Sequence, residues 1–504
     1  MRLSTVFIGF GLVFLTSLAV SRVSAQTRQT GPEFINVYLV EGSGYLPKDL
    51  EKMVTHARGS LLTTHPEINL AIVQSDEPKF ASQIIGYPGV SRATRDVRVR
   101  WIPDAETFDS SKVVQSTGDV PGRNPIDAAF FGACQWNLEI INLREALEKD
   151  RPGDDSVVAV LDTGIDPFHQ DLAGRIDLAN SASALTDPFC DLLFGIPDTR
   201  TVFDFNFHGT AVSSMVTSNG IGIAAVAPHS TIVGIKVLAC DGFGSFGDLI
   251  SGIMYAATLP HVEVINMSLG ELFPRDLPGI ESLTALVAAA IDFATDQGKL
   301  VVAAAGNEGL NLDSRSDLIL LPSQASNNVA AISATTIEDR LASYSNHGLS
   351  GALVAAPGGD LPNPLAELPG CPIALESQSG IIGACSQFSI FIPECQTADD
   401  FYVLEFIGTS ASSGHAAGVA ALANAAGEDL SPSKLREVLV DSADDLGPDG
   451  PDPIFSNGRI NAGEAVEDDR DDRGRDEDDD SEDDDDRGRD EDDDSEDDDD
   501  RDDD

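Results

Sequence analysis

The stretch from residue 156 to about residue 465 alternates short, continuously apolar runs with segments of helical periodicity. Continuous runs of Val, Ile, Leu and Ala predict strands that are buried on both faces, as in parallel sheets covered by helices. The predicted strands are Val157–Leu161, Thr231–Val237, Val262–Met267, Leu300–Ala305, Val329–Ala334 and Leu353–Ala355. The predicted helices are Gly209–Val216, Phe246–Ala257, Leu283–Gln297, Ser413–Ala426 and Ser431–Ser442. The alternation predicts an α/β fold whose parallel sheet is flanked by helices on both faces.

Three short motifs at the ends of these elements carry an acid, a base and a hydroxyl. Asp162 ends an apolar run in Asp-Thr-Gly, His208 opens a helix in His-Gly-Thr, and Ser410 lies in Gly-Thr-Ser-Ala before an Ala-rich helix. A serine nucleophile needs an imidazole to take its proton and a carboxylate to orient that imidazole. The chain order Asp, His, Ser is that of the subtilisin type. We therefore expect Asp162 to orient, His208 to act as base and Ser410 to attack.

Other interpretations of these residues are weaker. An Asp-Thr-Gly also occurs in aspartic proteases, but those need two such carboxylates, and this chain has one Asp-Thr-Gly. His415, five residues after Ser410, is the other candidate base, and we expect it to pack or to bond locally. A lipase or esterase would carry a Gly-x-Ser-x-Gly elbow with a different residue order. The serine-protease interpretation therefore ranks first.

The segment around Ser410 resembles the subtilase signature Gly-Thr-Ser-Met-Ala-x-Pro-His-Val-Ala-Gly. The matching residues are Gly408, Thr409, Ser410, His415, Ala417 and Gly418. Four positions depart from it: Ala411 replaces Met, Ser412 replaces Ala, Gly414 replaces Pro and Ala416 replaces Val. None of these changes removes a side chain of the expected triad. The resemblance covers roughly residues 130–465 and implies a subtilisin-like fold.

The same resemblance implies further site residues. Asn307 ends an apolar run in Ala-Ala-Gly-Asn, the stretch whose Asn donates to the oxyanion in subtilases. Ser268, Leu269 and Gly270 resemble the edge strand that pairs with substrate backbone, and Gly244 lies in a segment resembling the facing edge. An extended peptide added between two such edges gains backbone hydrogen bonds. We therefore expect a polypeptide substrate.

An N-terminal subdomain precedes this core. Residues 27–115 show a β-α-β-α-β order, which predicts a small α+β domain resembling the inhibitory propeptide of subtilases. Residues 116–130 belong to a linker rich in Ser, Gly, Pro and Asp, where we expect maturation. The catalytic domain is then expected at 131–465. The propeptide would act as an intramolecular inhibitor of this domain.

Residues 1–25 have the pattern of a cleaved secretory signal peptide: Arg2, an apolar run over 6–20, and the small-residue site Val23-Ser24-Ala25. We therefore expect a secreted product, extracellular or periplasmic, with no membrane anchor after signal removal. The six cysteines then fall in an oxidising compartment. Cys371, Cys385 and Cys395 cluster, which predicts a local disulfide of open connectivity, and Cys240 is interpreted as a buried free thiol.

Charge is concentrated at the C-terminus. Residues 467–504 carry 28 acidic and 6 basic residues, so the rest of the chain holds −30 of the total net charge of −52. A body this acidic disfavours nucleic-acid binding. The tail, 466–504, contains a 14-residue repeat without apolar residues and is expected to be disordered. Weak calcium binding, solubility at high ionic strength and a merely solvated repeat all remain open for it.

The chemistry needs no cofactor, and the sequence leaves a structural calcium ion open. Asp171 matches a calcium-ligating carboxylate of many subtilases, although the loop 218–222 looks too short for the remaining ligands. The sequence thus predicts a monomeric, secreted serine endopeptidase that is activated by propeptide removal. The alternative is a catalytically weak or dead subtilase scaffold that acts as an acidic calcium-binding secreted protein.

Overall fold

The computed structural model describes residues 33–102, 113–115, 128, 134–148, 153–360, 379–396, 402–427 and 430–466. The predicted signal peptide, nearly all of linker 116–130 and the tail from residue 467 lie outside the described residues. None of the described helices combines the length and apolar character that crossing a bilayer requires.

A seven-stranded sheet forms the centre of residues 153–466. Its strands are β6 (Val157–Asp162), β7 (Ala182–Ser183), β8 (Thr231–Lys236), β10 (Val264–Met267), β12 (Leu300–Ala304), β14 (Val329–Thr335) and β15 (Val354–Pro357). Their order across the sheet is β15-β14-β12-β10-β6-β8-β7, and all strand pairs are parallel. Six of these strands coincide with the predicted apolar runs, which confirms the parallel sheet.

The two faces of this sheet have separate hydrophobic cores. Along β6, Val158 and Val160 point into one cluster, whereas Val157, Ala159 and Leu161 point into the other. This alternation explains why the run is apolar at every position, because a strand with helices on both faces has no solvent side. The flanking helices are α6 (His208–Val216), α7 (Phe246–Thr258), α8 (Ile280–Asp296), α9 (Thr409–Gly427) and α10 (Pro432–Asp441).

The other described helices and strands lie outside the main sheet and its flanking helices. The helices are α1 (Leu50–His56), α2 (Phe80–Ile84), α3 (Trp136–Glu139), α4 (Leu143–Glu148), α5 (Phe189–Phe194) and α11 (Ala462–Ala465). The strands outside the main sheet are β1 (Glu33–Gly42), β2 (Ser60–His65), β3 (Leu70–Gln74), β4 (Val90–Arg100), β5 (Val113–Gln115), β9 (Phe243–Ser245), β11 (Glu271–Pro274), β13 (Leu318–Leu321), β16 (Ile381–Ala384) and β17 (Tyr402–Phe406). β5 pairs with β17 rather than with the N-terminal strands.

The N-terminal subdomain, residues 33–102, is an antiparallel sheet with two short helices. Its order is β2-β3-β1-β4, and β9, which comes from residues 153–466, joins at the β4 edge. Its strand β2 was not predicted, because this edge strand alternates exposed and half-buried residues and lacks a continuous apolar run. One face of this sheet shares a hydrophobic core with helices α7 and α8 through residues such as Leu39, Ile72 and Val97.

Within the described residues, the disulfides Cys190–Cys240 and Cys385–Cys395 fix loops around the core. The second fulfils the expectation of a local disulfide in the C-terminal cysteine cluster. The interpretation of Cys240 as a free thiol is wrong. The chain between β7 and α6 folds back over the end of β8, and this brings Cys190 beside Cys240 although 50 residues separate them.

Candidate active site

Asp162 and His208 meet at the carboxyl end of strand β6. His208 is the first residue of α6, and its Nδ1 lies 2.8 Å from Asp162 Oδ1 and 3.0 Å from Oδ2. Both side chains are fully buried. Because Nδ1 faces a carboxylate, it carries the proton and donates, which leaves Nε2 as the basic nitrogen of the neutral ring. The predicted acid and the predicted base are therefore hydrogen-bonded to each other.

Close backbone packing brings helix α6 onto this strand end. A Cβ atom on Gly209 would lie 2.2 Å from the carbonyl oxygen of Gly164, and Gly164 itself has a φ of 119°. Only glycine fits both positions without displacing the backbone. The Gly in each of the two motifs therefore sets the distance between Asp162 and His208.

A second buried acid holds the same junction. Asp204 accepts hydrogen bonds from the Thr163 hydroxyl at 2.9 Å and from the amide and hydroxyl of Thr210 at 2.9 and 2.7 Å. Burial raises the pKa of Asp204, while the bonds from Thr210 oppose that shift. Asp204 thus ties the loop after β6 to the first turn of α6. Sequence reasoning missed it, since no motif surrounds it.

Ser410 lies in the first turn of α9 and is locked to the segment that follows β10. Its hydroxyl donates to the carbonyl oxygen of Ser268 at 3.1 Å, and the Ser268 hydroxyl donates to the Ser410 carbonyl at 3.0 Å. The Ser268 hydroxyl also lies 2.7 Å from that of Ser413. The predicted nucleophile and the predicted substrate edge are thus in direct contact.

Asn307 approaches Ser410 from the end of strand β12. Its Oδ1 accepts from the amide and the hydroxyl of Thr409, both at 2.9 Å. With the oxygen so engaged, Nδ2 is the donor of the side chain and lies on the side away from Thr409. Thr409 is the residue before Ser410, so the amide donor is held beside the nucleophile.

His415 stands apart as a structural residue. Its Nδ1 donates to the carbonyl of Ala411 at 2.7 Å, and its Nε2 lies 2.7 Å from Asn137 Nδ2, from which it accepts. Burial lowers the pKa of His415 to about 4. The ring is therefore neutral and joins α9 to helix α3, in agreement with the expectation of local bonding.

The departure at Gly414 has a packing explanation. A Cβ atom there would lie 3.1 Å from the Met215 Cβ and 3.2 Å from the Val212 carbonyl oxygen. Helix α9 therefore crosses α6 at a distance that leaves little room for a side chain. Ala411 is also fully buried, in a cluster with Phe207 and Met215.

The two predicted substrate edges face each other across a strand of the N-terminal subdomain. Val99 pairs with Gly244 in an antiparallel register, the Trp101 amide donates to the Gly242 carbonyl at 3.1 Å, and the Gly270 amide donates to the Trp101 carbonyl at 3.0 Å. Between the two predicted substrate edges therefore lies an extended segment of this chain, residues Arg98–Ile102.

The Trp101 side chain fills an aromatic pocket beside that cleft. The ring is fully buried, and its centroid lies 5.2 Å from Phe246 and 6.1 Å from Phe273, both edge-to-face. Its Nε1 donates to the Gly244 carbonyl at 3.3 Å. Leu269 belongs to the same hydrophobic core. The burial of a tryptophan at this point anchors the end of the subdomain.

Asp171 is buried in a turn of amide donors. Its two carboxylate oxygens accept from the backbone amides of Ile221, Gly222 and Ile223 at 2.7–3.3 Å. Burial raises its pKa, and the charge of His169 opposes that shift. These bonds favour a role in holding the loop over cation ligation, and calcium binding by Asp171 stays a prediction. Among the described residues, the other metal-like group is Cys190, Asp198 and Cys240, whose sulfurs form a disulfide.

Comparison with known proteins places the chain in a family. The subtilase family model matches residues 153–458. The thermophilic serine proteinase of Bacillus sp. (strain AK1) is 31% identical over 446 residues, which are 83% of this chain and 92% of that protein. The major intracellular serine protease of Bacillus subtilis (strain 168) is 34% identical over 50% of this chain and 74% of its own length.

A solved structure supports the fold independently. The epidermin leader peptide processing serine protease of Staphylococcus aureus superposes with a TM-score of 0.67 at 20% identity, covering 86% of this chain and 98% of that one. The family match, the 31% identical relative and this superposition agree with one another. The chain belongs to the subtilase family, the subtilisin-like serine proteases.

Proposed function

We propose that the chain is a secreted endopeptidase that cleaves polypeptides through an acyl-enzyme formed on Ser410. The observation that carries the proposal is the buried contact of His208 Nδ1 with the Asp162 carboxylate, which leaves Nε2 as the base. Membership in a family of serine proteases supports it. Asp162 then stabilises the imidazolium that forms when His208 takes the Ser410 proton.

The remaining parts act on the substrate carbonyl. Ser410 Oγ attacks the carbonyl carbon, and the developing oxyanion receives hydrogen bonds from Asn307 Nδ2 and the Ser410 amide. His208 then donates its proton to the leaving amine, which frees the first product. Water, activated by the same imidazole, hydrolyses the acyl-enzyme and restores Ser410. No cofactor takes part in these steps.

The N-terminal subdomain is an intramolecular inhibitor in this proposal. Its support is the extended segment Arg98–Ile102, whose backbone bonds to Gly242, Gly244 and Gly270 are those a bound peptide would make. The buried face that it shares with α7 and α8 adds affinity. Cleavage within the following linker would separate it from the catalytic domain, and release would open the cleft.

Secretion is part of the proposal and is supported by two features. Residues 1–25 have the pattern of a signal peptide, and the disulfides Cys190–Cys240 and Cys385–Cys395 suit an oxidising compartment. One of the compared relatives is intracellular by name, so the family alone does not decide the location. No observation on the described residues favours the alternative of a dead scaffold.

The test is hydrolysis by the product of the full-length gene. We expect the protein recovered from the medium to cleave an unfolded protein substrate, with internal cleavage sites found by mass spectrometry. The Ser410→Ala variant, expressed alongside, should retain the fold and lose hydrolysis. Equal hydrolysis by both proteins would remove Ser410 from the mechanism, and no hydrolysis by either would favour the dead scaffold.

A further inference from the structure

Arg98 of the N-terminal subdomain is enclosed by two acids and two aromatic rings of the following domain. Its Nε donates to Asp187 Oδ2 and its Nη2 to Asp241 Oδ2, both at 2.6 Å. The guanidinium carbon lies 4.1 Å from the ring centroid of Phe243 and 4.9 Å from that of Phe189. Two carboxylates and two π faces around one planar cation form a cage for a guanidinium.

The cage is organised by its own backbone rather than by Arg98. The Phe189 amide donates to Asp187 Oδ1 at 3.0 Å, and the Phe243 amide donates to Asp241 Oδ1 at 3.2 Å. Each acid is thereby oriented with Oδ2 toward the cage. The disulfide Cys190–Cys240 joins the residue after Phe189 to the residue before Asp241. We therefore expect the two acids and the two aromatic rings to stay together when the cation leaves.

In the proposed function, Asp187, Phe189, Asp241 and Phe243 lie in the catalytic domain, which remains after maturation. Arg98 lies in the N-terminal subdomain, which is removed. We propose that the mature enzyme uses Asp187, Phe189, Asp241 and Phe243 as an exosite for an arginine of its substrate, on the amino-terminal side of the scissile bond. This inference rests on the proposed function, since it names a feature of the substrates of that same cleft.

The path of the N-terminal subdomain sets the position of that arginine. Residues Arg98–Ile102 run along β9 and reach Gly270, two residues beyond Ser268, whose carbonyl contacts Ser410. A substrate on the same path, at about 3.3 Å per residue, places its arginine roughly four to seven residues before the bond that Ser410 attacks. A short substrate would not reach the cage.

The charges favour a cation at this place over an apolar or neutral side chain. With Arg98 in place the side chains of Asp187 and Asp241 are 23% and 20% exposed, and when this cation leaves the two negative charges face each other uncompensated. Burial raises the pKa of Asp241, and the charge of Arg98 opposes that shift. The fork of a guanidinium reaches both acids at once, whereas an ammonium does not, so arginine should exceed lysine.

The experiment uses the mature protein recovered from full-length expression and pairs of quenched fluorescent peptides. Each pair shares one cleavable sequence and differs only in arginine against citrulline, its neutral analogue, placed four, five, six or seven residues before the cleaved bond. We expect kcat/KM to favour arginine about tenfold at one or two of these positions. In the Asp241→Asn and Asp187→Asn variants the arginine-to-citrulline ratio should fall toward one.

The ratio separates the exosite from general damage, because a distorted fold would slow both peptides alike. Asp296→Asn, on the exposed end of α8, is the matched control and should keep the wild-type ratio. Equal cleavage of both peptides at every position, or a tenfold ratio that survives Asp241→Asn, overturns the exosite. If neither peptide is cleaved, the proposed function fails, and the cage is then tested by binding of the same fluorescent peptides. Tighter binding of the arginine peptide would uphold the cage, and equal binding would reject it.

Discussion

The contact of His208 with Asp162 and the contact of Arg98 with Asp187 and Asp241 use the same kind of charge-assisted hydrogen bond in two different settings. The first pair is fully buried within one domain. The second joins two parts of the chain, and its side chains are 14–23% exposed. Burial makes the first contact insensitive to solvent, whereas water and salt weaken the second. In the proposed function, the first contact is a permanent catalytic arrangement and the second belongs to an interface that is released.

The largest expected effect concerns the buried pair. Asp162→Asn should lower kcat by about 10⁴-fold, because the amide favours the wrong imidazole tautomer while preserving shape. Peptide hydrolysis by the mature protein measures this. Asp154→Asn, whose acid contacts His229 at the surface, is the control and should retain activity. A loss below about tenfold in Asp162→Asn would show that the buried contact does not serve catalysis.

The oxyanion donor should give the next effect. Asn307→Ala removes the donor held by Thr409 and should lower kcat by about 10²–10³-fold with little change in KM. Steady-state kinetics on one peptide separate the two parameters. The exposed Asn328→Ala variant should behave as wild type. An effect of Asn307→Ala on KM alone would assign this residue to substrate binding.

At the interface of the N-terminal subdomain, Trp101 should contribute most to the free energy of docking. Trp101→Ala leaves the pocket of Phe246 and Phe273 empty and should weaken docking of the N-terminal subdomain by about 3–5 kcal/mol. Hydrogen exchange of residues 33–102 in full-length Ser410→Ala protein reports this opening without self-cleavage. The exposed Tyr45→Ala is the comparison and should change exchange little. Unchanged protection in Trp101→Ala would place the docking energy elsewhere.

The pH dependence of docking should give the smallest effect. Asp96 accepts amides of Phe246 and Gly247 at the start of α7, and burial raises its pKa to about 6, with these bonds opposing. The nearby Asp248 carboxyl has its pKa raised to about 7 by burial. A docked acid of raised pKa holds its proton more tightly than the undocked one. Docking is therefore strongest below about pH 4 and weakens as pH rises through about 6, by roughly 1–3 kcal/mol.

The same hydrogen-exchange measurement between pH 4 and pH 7.5 tests this sign, after correction for intrinsic exchange rates. Asp96→Asn cannot ionise, so its docking should vary less with pH than that of the parent protein. Docking that strengthens on going from pH 4 to pH 7 in the parent would contradict the assignment.

The candidate active site was easier to predict from the sequence than the contacts between the N-terminal subdomain and residues 153–466. Strands buried on both faces are apolar at every position, as in Val157–Asp162, and the glycines of the motifs at Gly164 and Gly209 are required by short backbone distances. Such local constraints leave a pattern within a few residues. They made the sheet and the grouping of Asp162 with His208 predictable.

The contacts of the N-terminal subdomain with residues 153–466 correspond to no comparable pattern in the sequence. Arg98 meets partners 89 and 143 residues away, and the cage exists only because the chain near Cys190 folds back to Cys240. Asp204 likewise accepts hydrogen bonds from Thr163 and Thr210, and no sequence spacing predicts these contacts. Long-range contacts of single polar side chains depend on the path of loops, and composition or periodicity does not encode that path.

The rate at which a fluorophosphonate probe labels Ser410, before and after the N-terminal subdomain is removed, reports both on the nucleophile and on the docked subdomain. The processing-blocked full-length chain should label slowly, because Arg98–Ile102 occupies the cleft, and the mature protein should label at least about tenfold faster. Mass spectrometry should locate the label on Ser410. Absence of labelling in the mature protein would contradict the catalytic assignment, and equal rates in both forms would contradict the docked subdomain as an inhibitor.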